Sequence, residues 1–192
     1  MPFYKIAFCG LLLQSTFSLA QAQVNIQNYE IEGNLASTQD LGCITLREAP
    51  SNQSPADLAV SVLDCYAIGK DTMAAELMSL MLIRGRFDIL RVTDKSAHQA
   101  ISVLMLQLRQ AGGPQWESRM GPSFNDLSKH RDAHCQELRT LGTPTHSPDY
   151  MIKHGMGAFT KPDDDVIRSD FDADKAWDDV LVSYVKCPLV SD

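Results

Sequence analysis

The stretch HSPDYMIKHGMGAF, residues 146–159, holds two histidines, a tyrosine, two methionines and two glycines. Imidazole and phenol groups at that density are the raw material of a metal site or of general acid–base chemistry. The residues around them favour another job. Ser147 reads as a helix N-cap, Pro148 fits the first helical position, and Asp149 suits the positive end of a helix. Gly155 stands where a left-handed glycine would close that helix after His154. SPDYMIKHG is therefore expected to form a short, doubly capped helix with Tyr150 and His154 on one face. Met151, Met156 and Phe159 are expected to pack on neighbouring helices, with Gly157 allowing close approach. The expectation is a structural elbow in which His154 is hydrogen-bonded rather than reactive.

A second histidine pair, His130 and His134, has the i, i+4 spacing that lets two imidazoles share a metal ion. Cys135 follows but points about 100° away around a helix. No glutamate sits between the histidines as in H-E-x-x-H, and no local motif supplies a third ligand. With Lys129 and Arg131 alongside, a solvated or partly buried pair is expected, and no metal site is assigned. Asp170, Asp172 and Asp174 alternate like the first ligands of an EF-hand loop. Lys175, however, stands where that loop needs glycine, and Leu181 where it needs a bidentate glutamate. Asp172 or Asp174 is expected to cap the last helix instead. The remaining carboxylates, Asp163, Asp164, Asp165 and Asp170, together with Asp172, form a candidate surface for a basic partner.

Neither a G-x-S-x-G elbow nor a glycine-rich phosphate loop is present, so no catalytic residue and no cofactor are assigned. Paired carboxylates carry little information in a chain this acidic. The one basic island, Arg84, Arg86 and Arg91 in RGRFDILR, is expected to form salt bridges with the acidic surface; the alternative is that it holds an anionic group.

The beginning of the sequence, MPFYKIAFCGLLLQSTFSLAQAQ, joins Lys5, a short apolar run from Ile6 to Leu13, and Ala20-Gln21-Ala22. That is the pattern of a secretory signal cleaved after Ala22, too short in its apolar run to span a membrane. Loss of residues 1–22 removes one base and no acid, which leaves 16 Lys and Arg against 24 Asp and Glu, a net charge of −8 rather than −7. Such a surface repels nucleic acid and anionic lipid heads, and no later segment suggests membrane insertion. Removing Cys9 also turns five cysteines into an even set, Cys43, Cys65, Cys135 and Cys187. In an exported chain an even set suggests disulfides, although sequence alone permits three connectivities, or four buried thiols. Cys43–Cys65 with Cys135–Cys187 is favoured because each pair joins chain neighbours in the helical plan.

That plan has five legible helices within one domain, residues 23–192, whose beginning (23–53) is irregular. Ser54-Pro55 opens the first, with Leu58, Val62, Cys65 and Tyr66 at helical spacing up to Gly69. The second begins near Asp71, is apolar almost all round, and is expected to stop at Gly85. The third follows an Asp94 cap and shows Ala97, Ile101, Leu104, Leu108 and Ala111 as a stripe ended by Gly112-Gly113-Pro114. The fourth runs from Ser123 to Leu141, and the fifth from about Asp172 to Lys186 with Trp177, Val180, Leu181 and Tyr184 inward. The fold class read from this is all-α, an irregular or orthogonal bundle of five to six helices stapled by disulfides.

The segment LAVSVLDCYAIGKDTMAAELMSL, with Gly69 at its turn and small Ala74 and Ala75 in its second helix, resembles a single tetratricopeptide or Sel1-like hairpin over residues 55–84. The resemblance implies tight helix pairing there; Val62 departs from the small residue of that family, and no second copy is visible.

An exported, acidic, disulfide-stapled helical domain without catalytic motifs points to a protein-binding role. The type that fits is a periplasmic immunity protein that occludes a toxin delivered by competing bacteria. A scaffold or assembly factor of the cell envelope is the alternative, and a cell-wall hydrolase the third reading.

Overall fold

The computed structural model describes residues 30–160 and 165–189; the signal-like residues 1–22, and Asp163 and Asp164, lie outside the described residues. Six helices carry the fold: α1 (Pro55–Ala67), α2 (Asp71–Arg91), α3 (Ala100–Gly112), α4 (Trp116–Lys129), α5 (Arg131–Leu141) and, after two single turns α6 (Asp149–Ile152) and α7 (Gly157–Thr160), α8 (Ala173–Ser183). Extended pairing among the described residues is limited to one antiparallel bridge, Val92 with Ile167. The fold is all-α.

The first helix forms as its capping residues dictate. Ser54 accepts from the Asp57 amide at 3.2 Å while the Asp57 carboxylate accepts from the Ser54 amide at 2.7 Å, and Pro55 sits in the first turn. Two otherwise orphaned amides are thereby satisfied. Asp57 also accepts from the amides of Thr38 and Gln39 at 2.6 and 2.9 Å, which pins the irregular N-terminal segment onto α1. Burial pushes its carboxyl up, but the bonds from Ser54, Thr38 and Gln39 outweigh this and hold it below the usual aspartate range.

Helix α2 is the axis of the molecule, packing on α1, α4 and α8. It buries Leu77, Leu80, Met81 and Phe87 completely. It does not stop at Gly85. A Cβ at Gly85 would lie 2.3 Å from Ile101 Cδ1, so the glycine is there to let α3 approach. Glycine in a helix interior costs about 1 kcal/mol, and the burial on either side offsets it.

The next segments also depart from expectation. The α3 helix ends as read, with Gly113 in the left-handed region at φ 67°, but a new helix starts only three residues later. Trp116 and Met120, i and i+4 on α4 and each 2 % exposed, bury enough surface to carry that helix through Pro122. The expected helix from Ser123 to Leu141 is in fact two, broken at His130 (φ −101°, ψ 27°). Asp94 caps no helix directly; a 3₁₀ turn at Ala97–Gln99 precedes α3. The last helix is shorter than read, and Tyr184, expected inward, is 48 % exposed.

Both disulfides pair as favoured, Cys43–Cys65 and Cys135–Cys187, with Cα separations of 4.6 and 5.6 Å. They close loops of 22 and 52 residues, each contributing roughly 3–4 kcal/mol by restricting the unfolded chain. The first ties the N-terminal segment to α1; the second ties the chain beyond α8 to α5.

Candidate functional site

Three polar assemblies lie on or beside the residues singled out by sequence. The first is the elbow. Its reactive-looking groups converge on a residue the sequence did not flag, Asp88 in the last turns of α2. The Asp88 carboxylate accepts from the Tyr150 hydroxyl at 2.7 Å, from His146 Nε2 at 3.0 Å and from Arg91 Nε at 2.9 Å. Arg91 Nη2 also donates to the His146 carbonyl at 2.8 Å. Asp88 is 0 % exposed and His146 and Tyr150 are each 3 % exposed. Burial, and then the Asp88 charge, push the Tyr150 phenol well above its ordinary pKa. Carboxylate, imidazole and phenol in contact are a general acid–base set in composition only. Sealed from solvent and joined through the Asp88 carboxylate, with His146 Nδ1 left without a partner, they act as a knot tying α2 to the elbow.

Around that knot the elbow differs in detail from its reading. Ser147 makes no cap, since α6 begins after Pro148 without a side-chain cap bond. Gly155 has no left-handed φ; a Cβ there would meet Asp94 Oδ2 at 2.3 Å and Ala97 Cβ at 2.8 Å. Its role is close approach. Asp94 Oδ2 accepts from the Gly157 amide at 2.7 Å and Ser96 Oγ from the Met156 amide at 2.8 Å, clamping the turn. Tyr150 and His154 do not share a partner: His154 Nδ1 pairs with Asn34 Oδ1 at 2.9 Å. Met151 is fully buried, but Met156 and Phe159, expected to pack inward, are 62 % and 45 % exposed.

The second assembly is the basic island, which the fold takes apart. Arg84 is 1 % exposed and donates to the Gln53 carbonyl at 2.6 Å. Burial lowers its pKa to about 10, against the opposing pull of Asp88 and Asp57. Arg91 turns inward to Asp88 and Arg86 outward, so the expected bridges to the acidic surface do not form at Arg84 or Arg91.

The third is the acidic segment. Asp165, Asp170 and Asp172 are all exposed, as are Asp174, Asp178 and Asp179. Asp170 takes two bonds of 3.2 Å from Arg168, which hold its carboxyl below the usual range. Asp172 is the α8 N-cap, accepting from the Lys175 amide at 3.0 Å. Lys175 in turn reaches Asp179 at 2.5 Å. Between these pairs a depression of about 270 Å³ opens, floored by Leu90, Phe171 and Ala176. The segment is anchored by the Thr93 amide to the Val166 carbonyl (3.1 Å) and the Arg168 amide to the Arg91 carbonyl (2.9 Å).

The histidine pair is not brought together. His130, at the break between α4 and α5, is exposed with Nδ1 3.0 Å from the Asp126 carbonyl, whereas His134 is buried and faces Ser79. Asp88 did leave a signal in the sequence. It continues the buried face Leu77, Met81, Arg84 at i+4, i+7 and i+11, and a charge on such a face requires partners. Compared with protein-family models, with curated proteins and with solved structures, the chain matches none.

Proposed function

We propose that the protein is an exported, non-catalytic binding protein, and within that class a periplasmic immunity protein that occludes a secreted toxin through a basic surface of that toxin. What supports this reading above all is the acidic segment, whose exposed carboxylates from Asp165 to Asp179 stand on a backbone anchored to α2 and capped into α8. A charged surface held rigid loses little freedom on docking and steers an oppositely charged partner. The two disulfides fit an oxidising compartment. The test is a pull-down from periplasmic extract, followed by association kinetics with the recovered partner at two salt concentrations. Replacing Asp165, Asp170 and Asp178 by asparagine slows association more than it speeds dissociation, and less so at high salt. Salt-independent association removes the acidic segment from the reading, and turnover of a cell-wall substrate by the purified chain removes the binding role itself.

A second reading, an envelope scaffold, draws on Ile68, which is 65 % exposed at the turn between α1 and α2. Under it, Ile68→Asp abolishes capture while the aspartate substitutions do not.

A further inference from the structure

One cleft belongs to none of the assemblies above. Ser79 of α2, Phe124 and Leu127 of α4, Arg131 and His134 of α5, and Val185 beyond α8 enclose an open space of about 320 Å³. That is at the small end of the ~300–1,000 Å³ typical of ligand sites. One part of its wall is hydrocarbon, from Phe124, Leu127 and Val185. The other carries hydrogen-bonding groups with capacity to spare.

His134 is 7 % exposed, and its Nε2 lies 3.0 Å from Ser79 Oγ. The Ser79 hydroxyl has no other acceptor among the described residues, so donation to Nε2 is the arrangement that uses its hydrogen within the protein. Donation to Nε2 places the ring proton on Nδ1. Nδ1 has no hydrogen-bond partner among the described residues and, unlike His146 Nδ1, is not sealed from solvent. Burial holds the imidazole below the usual histidine pKa, so it stays neutral, with a single N–H, near neutral pH.

Arg131 stands one turn before His134 on the same face of α5. It makes no ion pair or hydrogen bond among the described residues, whereas Arg47, Arg91, Arg109, Arg119 and Arg168 each hold a carboxylate. A guanidinium presents two parallel donors that match the two oxygens of a carboxylate, and an imidazole N–H one turn away adds a third. There is one permanent positive charge here, and Glu76 and Glu137 lie one turn from Ser79 and His134 on α2 and α5. That balance suits a monoanion and disfavours phosphate. Glu137 is itself occupied by Arg47.

We propose that this cleft binds a small monocarboxylic acid with an apolar body, the carboxylate on Arg131 and His134 Nδ1 and the hydrocarbon against Phe124, Leu127 and Val185. The site is independent of export and of any protein partner. Ser79 acts here by orienting the imidazole, as a positioning residue.

Calorimetric titration of the full mature chain with octanoate tests this, with acetate, 1-octanol and inorganic phosphate as companions. Octanoate is expected to saturate one site with Kd on the order of 0.1–1 mM, a range set by ligand size. Acetate, lacking the body, and octanol, lacking the charge, bind at least about tenfold more weakly, consistent with loss of one charge-assisted contact or of the apolar burial. Arg131→Gln, an exposed position whose replacement spares the core, weakens octanoate about tenfold or more, while Arg109→Gln, an exposed guanidinium on α3, leaves it unchanged. Chemical-shift changes confined to the His134 ring and the methyls of Leu127 and Val185 place the ligand. Absence of saturation up to about 10 mM, well beyond that range, overturns the proposal. So does binding that Arg131→Gln leaves intact, octanol matching octanoate, or phosphate displacing octanoate. Stoichiometric acylation of Ser79 by p-nitrophenyl octanoate also overturns it, because the pair would then be a nucleophile and its base.

Discussion

His146 and His134 are nearly equally buried, at 3 % and 7 % exposed, yet they hold opposite positions in the molecule. His146 shares Asp88 with Tyr150 and Arg91, so its Nε2 is held in a charged network while its Nδ1 is sealed from solvent without a partner. His134 meets one neutral hydroxyl, and its second ring nitrogen, also without a partner among the described residues, is open to solvent. The difference teaches that burial alone does not separate a structural histidine from an available one. What separates them is whether the ring nitrogen that lacks a partner is sealed inside the protein or open to solvent. The first region is a joint, and the second is an opening.

Perturbing the joint produces the largest effect. Asp88→Ala leaves Arg91 and His146 without their carboxylate inside the protein, and a loss of roughly 3–5 kcal/mol is expected in urea unfolding. A change under 1 kcal/mol would erase the contrast. Tyr150→Phe removes one hydrogen bond to that carboxylate and keeps the ring, so about 1.5–3 kcal/mol is expected by the same measurement.

His134 sharpens the comparison through pH. Its folded pKa lies below the 6.5 of the unfolded chain because burial disfavours the charged ring. The unfolded chain therefore binds the proton first. Stability from this residue is fully present above pH 6.5 and declines as pH falls through that value towards the folded pKa. The slope is at most about 1.4 kcal/mol per pH unit for one proton. In His134→Gln that part of the slope disappears, and urea midpoints recorded from pH 7.5 to 5 decide it. Ser79→Ala is the smallest perturbation. It removes one bond of a half-buried hydroxyl, and no more than about 1 kcal/mol is expected from thermal unfolding.

Much of the fold was legible because local chemistry and tertiary packing agree. Ser54-Pro55 caps α1, Gly113 closes α3, and Asp172 opens α8, each by a mechanism confined to a few residues. The cysteine pairing followed from the helical order. The failures arise where distant packing overrules a local signal. Gly85 reads as a stop, but Ile101 occupies the space its missing side chain leaves. Pro122 concealed a helix that Trp116 and Met120 sustain by burial. For the elbow, the structural role was readable from its composition of capping and small residues, while its true anchor, Asp88, lies 58 positions from His146. The acidic residues were readable as a set. Their pairing with Arg168 and Lys175 was not, since it depends on side-chain geometry at the start of α8.

The two disulfides join consecutive cysteines, Cys43 with Cys65 and Cys135 with Cys187, and neither loop encloses or crosses the other. For a chain oxidised as it emerges N-terminus first, Cys65 reaches Cys43 before Cys135 or Cys187 arrives. Thiol–disulfide exchange then has no mispairing among these four cysteines to repair. Residues 66–134, which include all of α2, α3 and α4, remain outside both loops. They can condense as ordinary helices between two covalent events, one completed before α2 exists and the other waiting for the end of the chain.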